Sequence, residues 1–287
     1  MTKQTNTDTT LAARLRERFP TAKTQTLKRM VEAGRVSVNG KRATKLSQAI
    51  EAGDVVGVDE RPVAARVTKS RRAMLAPLEL VYEDDDVLVI AKPAGLLTST
   101  VPREPRPTAL AIVRAYVSAT SPKARVGLIH RLDRDAGGLL VFSKSHLAYE
   151  SLKTQFFKHT VERVYEAVVR GTPSPAKGRI ESRLVERADG SIRSTDEHAK
   201  GQRAITDYEL VRSLKDGRSV VRLKLLTGRK HQIRVHLSER GWPIVGDVVY
   251  GTEKADAEPA LQLSAVGLGF DHPKTGKRLK FELPGVT

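Results

Sequence analysis

The stretch Val126-Gly127-Leu128-Ile129-His130-Arg131-Leu132-Asp133-Arg134-Asp135-Ala136-Gly137-Gly138-Leu139-Leu140-Val141-Phe142 decides how the rest of the chain is read. Apolar runs with the look of strands, Val126–Ile129 and Leu139–Phe142, bracket nine residues holding two arginines, two aspartates and two glycines. A surface turn needs glycine, but it does not need a carboxylate set between guanidinium groups. Arg131 and Arg134 flank Asp133, and nearby positive charge keeps an aspartate ionised when it is partly desolvated. Two readings follow. The stretch is a charged turn with local ion pairs, or it carries an aspartate able to act as a nucleophile or base at neutral pH.

Outward from that stretch, strand-like segments outnumber helical ones. Leu78–Glu83 and Val87–Ala91 flank the turn Asp84-Asp85-Asp86, and Lys92-Pro93-Ala94-Gly95 breaks the second strand into a loop that must pass close to something. Three adjacent acids fit a solvated hairpin turn better than a cation loop, which needs further oxygen ligands at set spacing. The apolar spacing predicts helices over Thr108–Ser118 and over His146–Phe157, the latter turning Leu147, Leu152 and Phe156 to a core. Strands are predicted at Glu162–Gly171, with one tyrosine, Tyr165, and at Thr206–Leu210, Ser219–Leu226, Leu261–Leu268 and Leu279–Leu283. Residues 172–204 read as a polar hairpin excursion. The many hairpin links predict an α+β fold with a mixed, mainly antiparallel sheet.

A second unusual patch is Thr227-Gly228-Arg229-Lys230-His231-Gln232-Ile233-Arg234-Val235-His236-Leu237. Ile233 and Leu237 are four apart, which predicts a helix over Lys230–Arg240 entered through a glycine loop that carries Arg229. His231 and His236 are five apart with no acidic or cysteine ligand beside them, which is poor spacing for a metal.

The N-terminal part reads differently. Residues 1–10 are polar and Thr-rich, have no apolar run of a secretory signal, and are expected to be a disordered tail. Leu11, Leu15 and Phe19 recur at helical spacing, and a second helix is predicted over Thr24–Ala33, ending at Gly34. Arg35-Val36-Ser37-Val38-Asn39-Gly40-Lys41-Arg42 is an alternating strand entering an Asn-Gly hairpin, and Ile50–Val58 adds a strand around Gly53-Asp54. Asp59–Pro77, with prolines and five basic residues, reads as a linker.

The 287 residues carry 50 Lys+Arg against 33 Asp+Glu, a net charge of +17 that suits a polyanionic partner such as RNA. Eleven of the basic residues and five of the acidic ones fall within residues 1–58. There is no cysteine, so disulfides, thiolate nucleophiles and cysteine-held zinc are excluded, and a reducing compartment fits. No apolar run approaches membrane-spanning length, no basic amphipathic anchor stands out, and the cytoplasm is the expected location.

Two resemblances emerge. Leu11–Val58, above all Glu32-Ala33-Gly34-Arg35-Val36-Ser37-Val38-Asn39-Gly40-Lys41 with the later Ala52-Gly53-Asp54, resembles the RNA-binding domain first known from ribosomal protein S-four. That likeness implies RNA contacts from Lys23, Lys28, Arg29, Arg35 and Lys41. The sequence departs from that family at Ala22-Lys23-Thr24, where a serine and then an arginine are usual. Residues 78–285 resemble the RluA-type pseudouridine synthases. The match runs through Asp84–Gly95, the His-Arg-Leu-Asp of residues 130–133, Thr227–His236, Gly241–Asp247 and Tyr250-Gly251.

The resemblance implies isomerisation of uridine in RNA, with Asp133 the catalytic aspartate, Arg234 its partner and Tyr165 packed against the target base. Arg131 and Arg229 would hold RNA. Ribosomal RNA is the implied substrate, with transfer RNA as an alternative, and no cofactor or metal is implied. Ala136-Gly137 departs from the family, where Thr-Ser is usual, although a glycine pair allows close backbone approach. Leu261-Gln262-Leu263-Ser264 stands in place of a more usual histidine-containing run. Two other classes fit some features: an idle RNA-binding or ribosome-assembly factor, and a glycoside hydrolase. The hydrolase would need a second acid facing Asp133 across a substrate, and Asp135 is too local to be it.

Overall fold

The computed structural model describes residues 9–20, 22, 24–32, 35–51, 53–58, 73–100, 105–197, 200–251 and 260–286. The chain divides into two compact units, residues 1–68 and 69–287. Lys23 and the expected linker's residues 59–72 lie outside the described residues, and so does the side chain of Arg29.

In the first unit, β1 (Thr9–Thr10) leads into helix α1 (Leu11–Arg18), followed by α2 (Thr24–Glu32), β2 (Val36–Val38), β3 (Lys41–Arg42), β4 (Ala49–Ile50) and β5 (Val56–Val58). Leu11, Leu15, Leu27, Met30, Val31, Val36, Val38 and Ile50 form its core. The expected tail gives way at its end, because Thr9 and Thr10 pair with Ile50 and Ala49, and the Thr10 hydroxyl caps α1 by accepting from Ala13 N.

The Asn39-Gly40 turn has φ of +51° and +75°, and Val38 pairs with Lys41 across it. Positive φ at both central residues is the hairpin turn whose twist matches the strands. Asn39 then clasps the second turn. It donates from Nδ2 to Asp54 Oδ1 at 2.7 Å and accepts from Val55 N at 2.9 Å.

The second unit is built on one large sheet: β6 (Glu79–Glu83), β7 (Val87–Lys92), β8 (Gly127–Leu128), β9 (Gly137–Ser143), β10 (Glu162–Arg170), β11 (Lys177–Glu186), β12 (Ile192–Ser194), β13 (Gln202–Ser213), β14 (Arg218–Leu225), β15 (Leu263–Asp271) and β16 (Arg278–Glu282). Helices α3 (Ala109–Thr120), α4 (His146–Phe157) and α5 (Gln232–Glu239) complete it. The main path through the sheet is β12-β11-β13-β14-β10-β15-β9-β7-β6, with β16 on β15 and β8 on β9. Every pairing between these strands is antiparallel except β15 with β9, so the mixed, mainly antiparallel α+β architecture is observed.

That parallel strand pairing places the site. Ser264 and Ala265 register with Gly137 and Gly138, at the point where the Asp133 loop re-enters the sheet. Gly138 has φ +113°, and a Cβ there would stand 2.3 Å from Ala265 O, so only glycine lets the two backbones meet. The glycine pair expected to permit close approach does so at Gly138.

Two sequence expectations are corrected. Leu147 is 56% exposed, because the register of α4 turns Ala148 and Leu152 inward and leaves Leu147 about 100° away. The end of the expected linker belongs to the second unit, where Leu75 is fully buried beside Leu78 and Leu88.

Candidate active site

Asp133 sits between β8 and β9 on a loop held from both sides. Thr98 Oγ1 donates to Leu132 O at 2.7 Å and accepts from Leu132 N at 3.1 Å. On the other side, Arg134 O accepts from Gly95 N and from Lys92 Nζ, both at 2.9 Å. The loop after β7, which the sequence required to pass close to something, passes the backbone flanking Asp133.

Lys92 gathers this arrangement. Its ammonium, buried at the end of β7, also donates to Leu96 O at 2.7 Å and Pro93 O at 3.0 Å. Burial pushes its pKa down to about 8, against an upward pull from Asp135 and Asp133. Asp135 is paired locally, its carboxylate taking Arg134 Nε at 2.8 Å and Nη2 at 3.1 Å.

The side chain of Asp133 remains 27% exposed and faces Arg234, whose Nη1 lies 3.6 Å from Oδ2. Arg234 is itself buried and clamped by a second acid. Its Nε and Nη2 donate to Asp247 at 2.8 and 2.7 Å, and Val249 N and Tyr250 N donate to the same carboxylate. Burial works against the Asp247 anion, but the guanidinium fork and the two amides outweigh it and hold its pKa below the usual range. The guanidinium also lies over the Tyr250 ring, 5.1 Å from its centroid.

Tyr250 ties the site to the β11–β12 hairpin. Its hydroxyl accepts from Ile192 N at 2.9 Å and lies 2.8 Å from His231 Nδ1. His231 takes φ +53° at the head of α5. Burial lowers its pKa, against the pull of Asp133. The helix α5 carries Gln232, Arg234 and His236 as buried polar residues, each hydrogen-bonded. The sequence predicted it two residues early and one late.

Tyr165 is buried on β10, paired with Leu223 of β14 and Ala265 of β15. The register to β15 slips between Val164 and Tyr165, a bulge of the kind that re-aims a side chain beside a site. Burial raises its pKa to about 12; Arg163 opposes the shift and Asp133 adds to it. Asp133, Arg234 and Tyr165 are thus brought into one electrostatic neighbourhood. Arg131 and Arg229 are exposed on the loops beside it, and Arg229 Nε donates to Arg203 O at 3.1 Å. Lys28 and Lys41 are exposed in the first unit, where Lys28 lies 3.9 Å from Glu32, and Arg35 is half-buried.

Sequence reasoning gave no role to Lys92, Arg163, Asp247, Tyr250 or His231. The Gly246-Asp247 and Tyr250-Gly251 steps were the signal for two of them. Gly251 is needed because a Cβ would lie 2.3 Å from Asp247 O. The Asp84–Asp86 turn is also more than solvated. Asp84 takes Tyr82 OH, Asp86 N and Val87 N, and His272 Nε2 at 2.8 Å. Asp84, Asp86 and His272 are close enough to share a cation. However, His272 Nδ1 accepts from Lys274 N and Thr275 N, so Nε2 carries the proton given to Asp84 and has no lone pair for a metal.

Asp133 thus stands part-exposed on a braced loop, set against an arginine clamped by Asp247 and near a buried tyrosine of the antiparallel sheet. The family of the chain is shown by comparison. The RNA pseudouridylate synthase family model matches residues 86–239 and the S4 domain model matches residues 23–56. An uncharacterized RNA pseudouridine synthase of Bacillus subtilis is 37% identical over 258 residues, 88% of this chain and 83% of that protein. The ribosomal large subunit pseudouridine synthase D of Zymomonas mobilis is 36% identical over 222 residues, 72% of this chain and 68% of that one. The structure of human RNA pseudouridylate synthase domain containing 4 shares the fold, with TM-score 0.63 and 22% identity over 75% of this chain and 92% of that one. The chain belongs to the RNA pseudouridylate synthases, isomerases that act on RNA.

Proposed function

We propose that this synthase converts uridine to pseudouridine in large-subunit ribosomal RNA, with Asp133 acting at the ribose. The observation that carries the reading is the Asp133–Arg234 contact at 3.6 Å, with Arg234 immobilised by Asp247. A glycosidic bond is broken by an anion at the sugar, which bonds the anomeric carbon or removes the neighbouring proton, and a carboxylate facing a fixed guanidinium serves either route. The target base must leave its stack to reach Asp133, and the Tyr165 ring gives it a surface. Arg131 and Arg229, exposed beside the loop and the head of α5, would hold the flanking strand.

The ribosomal target is supported by relatives named for the large subunit, including that of Vibrio cholerae at 32% identity over 300 residues. The net charge of +17 and the S4 domain supply RNA grip through Lys23, Lys28, Arg29, Arg35 and Lys41. The isomerisation changes no oxidation state and needs no cofactor. No helix among the described residues is long and apolar enough to cross a membrane, and the cytoplasm is the proposed location.

The test is a map of pseudouridines in ribosomal and transfer RNA from cells with and without the gene, complemented by Asp133→Asn. We expect sites in large-subunit RNA to vanish without the gene and not to return with the variant, which still binds RNA. Loss of sites only in transfer RNA would overturn the ribosomal assignment, and an active Asp133→Asn would overturn the mechanism.

A further inference from the structure

Three cations around Asp133 each have an acid acting on them. Arg234 is matched by Asp247, and Arg134 by Asp135. Lys92 spends its protons on three carbonyls and has Asp135 and Asp133 as its nearest acids. Arg163 has no carboxylate within ion-pair distance among the described residues, and the ionisable group that acts on it is the Tyr165 hydroxyl.

Arg163 precedes Tyr165 by two positions on β10 and lies across the face of Phe156, 5.6 Å from the ring centroid. His130 stacks on the same ring at 4.6 Å and is kept neutral, its Nε2 accepting from Val141 N. The Arg163 Nη2 reaches Thr227 O at 3.2 Å and Leu225 O at 3.4 Å, both neutral acceptors. Its Nε is buried with no acceptor among the described residues. Gly228 is shaped around it, since a Cβ there would stand 2.5 Å from Nη1. A part-buried cation with no counter-ion among the described residues and with an unused donor costs stability, and such groups cluster at functional sites.

The chemistry supplies that anion. When the C1′–N1 bond breaks, its electron pair stays with the base as a uracil anion, spread over N1, O2 and O4. The ribose meanwhile bonds the Asp133 carboxylate or gives it the 2′ proton. The charge is discharged when C5 bonds C1′ as the Asp133–C1′ bond breaks, or as Asp133 returns the proton to C2′; the C5 proton then leaves and N1 takes a proton. We infer that Arg163 is a catalytic residue of this site that receives the detached uracil as an anion beside Tyr165. The inference rests on the proposed uridine chemistry at Asp133, and it extends that chemistry to the leaving base. Removing one such donor typically costs about 100-fold or more in turnover.

The test uses the full-length protein and cognate large-subunit ribosomal RNA transcribed with uridine or 5-fluorouridine, with bulk transfer RNA in parallel. Single-turnover loss of each nucleoside is read by chromatography of the digested RNA, since uridine and pseudouridine share one mass, alongside RNA binding and melting temperature. Arg163→Met is expected to slow uridine turnover about 100-fold while changing RNA affinity less than about threefold, and Arg163→Lys to recover about tenfold of the loss. The fluorine already draws charge from the ring, so the Arg163→Met deficit should be about tenfold smaller on 5-fluorouridine RNA. Arg163→Gln replaces Arg163→Met if the latter does not fold.

Equal losses on both bases would overturn the inference and leave Arg163 as a brace for the loop at Thr227. So would a folded Arg163→Lys no better than Arg163→Met. Wild-type inactivity on the ribosomal transcript alone refutes that target, and the comparison is then made on transfer RNA. Inactivity on both removes the uridine reading and the inference together.

Discussion

Arg234 gives Nε and Nη2 to Asp247, at 2.8 and 2.7 Å, and turns its remaining nitrogen, Nη1, to Asp133 at 3.6 Å. The shorter, buried contact fixes the guanidinium, and the longer one faces the part of the site open to substrate. Asp247 is therefore as much a part of the site as the arginine it holds.

Replacing Asp247 by Asn keeps the shape and removes the charge. It leaves a buried guanidinium with half its fork satisfied, and breaking such a pair costs about 3–5 kcal/mol. Asp247→Asn should lower both the urea midpoint and turnover, whereas Asp133→Asn, at a part-exposed position, should lower turnover alone. Urea melts beside a pseudouridine assay separate the two, and an Asp247→Asn protein of unchanged stability would refute the clamp.

Lys92 makes turnover sensitive to alkali. Its folded pKa of about 8 lies below the ordinary lysine value of 10.5, so between those values the unfolded chain binds more protons than the native one. Stability then gains from this group as pH rises from about 8, because the burial cost is relieved. The neutral amine nevertheless has one donor fewer for the carbonyls of Pro93, Leu96 and Arg134, and the loop beside Asp133 slackens. Turnover should fall through pH 8 with no parallel loss of thermal stability. Lys92→Met should be slow at every pH, with no step near 8, and a step that persists in that variant would assign it to another group.

The loop that bears Asp133 depends on one backbone crossing. Gly138→Ala forces a Cβ against the carbonyl of Ala265 at φ +113°. Backbone strain alone costs about 1–3 kcal/mol, and the contact adds to it. A substantial drop in melting temperature is expected for Gly138→Ala and a smaller one, from strain alone, for Gly95→Ala, where φ is +85° but a Cβ meets nothing within 4 Å. Equal effects would mean that conformation rather than the crossing dominates.

Much of this was legible in the sequence because it is local. The Asn39-Gly40 pair specified its hairpin, the alternation around Val164–Val169 specified β10, and the crowding of charge around Asp133 marked the loop. What escaped were pairings between residues far apart in the chain. No spacing rule links Asp247 to Arg234, or Lys92 to the carbonyl of Arg134 forty-two residues later. Helix α5 was found from Ile233 and Leu237, but its burial on every side, with Gln232 and His236 satisfied internally, depends on the sheet that surrounds it. Leu147 failed for the opposite reason: an apolar residue was assigned inward on identity alone, and the helical angle put it outside.

The S4 unit offers a last measurement. Lys41 is exposed at the Asn39-Gly40 turn and Lys28 is exposed on α2. Lys28 has Glu32 only at 3.9 Å, a surface pair worth little to folding. A lysine that neutralises an RNA phosphate releases a counter-ion, so its loss lowers affinity and flattens the dependence of log K on log salt. Lys41→Ala and Lys28→Ala should each weaken RNA binding and reduce the magnitude of the salt slope by about 0.7–1. Single-turnover rates at saturating protein should remain near wild type, since neither residue belongs to the unit that carries Asp133. An unchanged slope in the double variant would show that the phosphates are met elsewhere. A changed saturating rate would show that the S4 unit also acts on the chemical step.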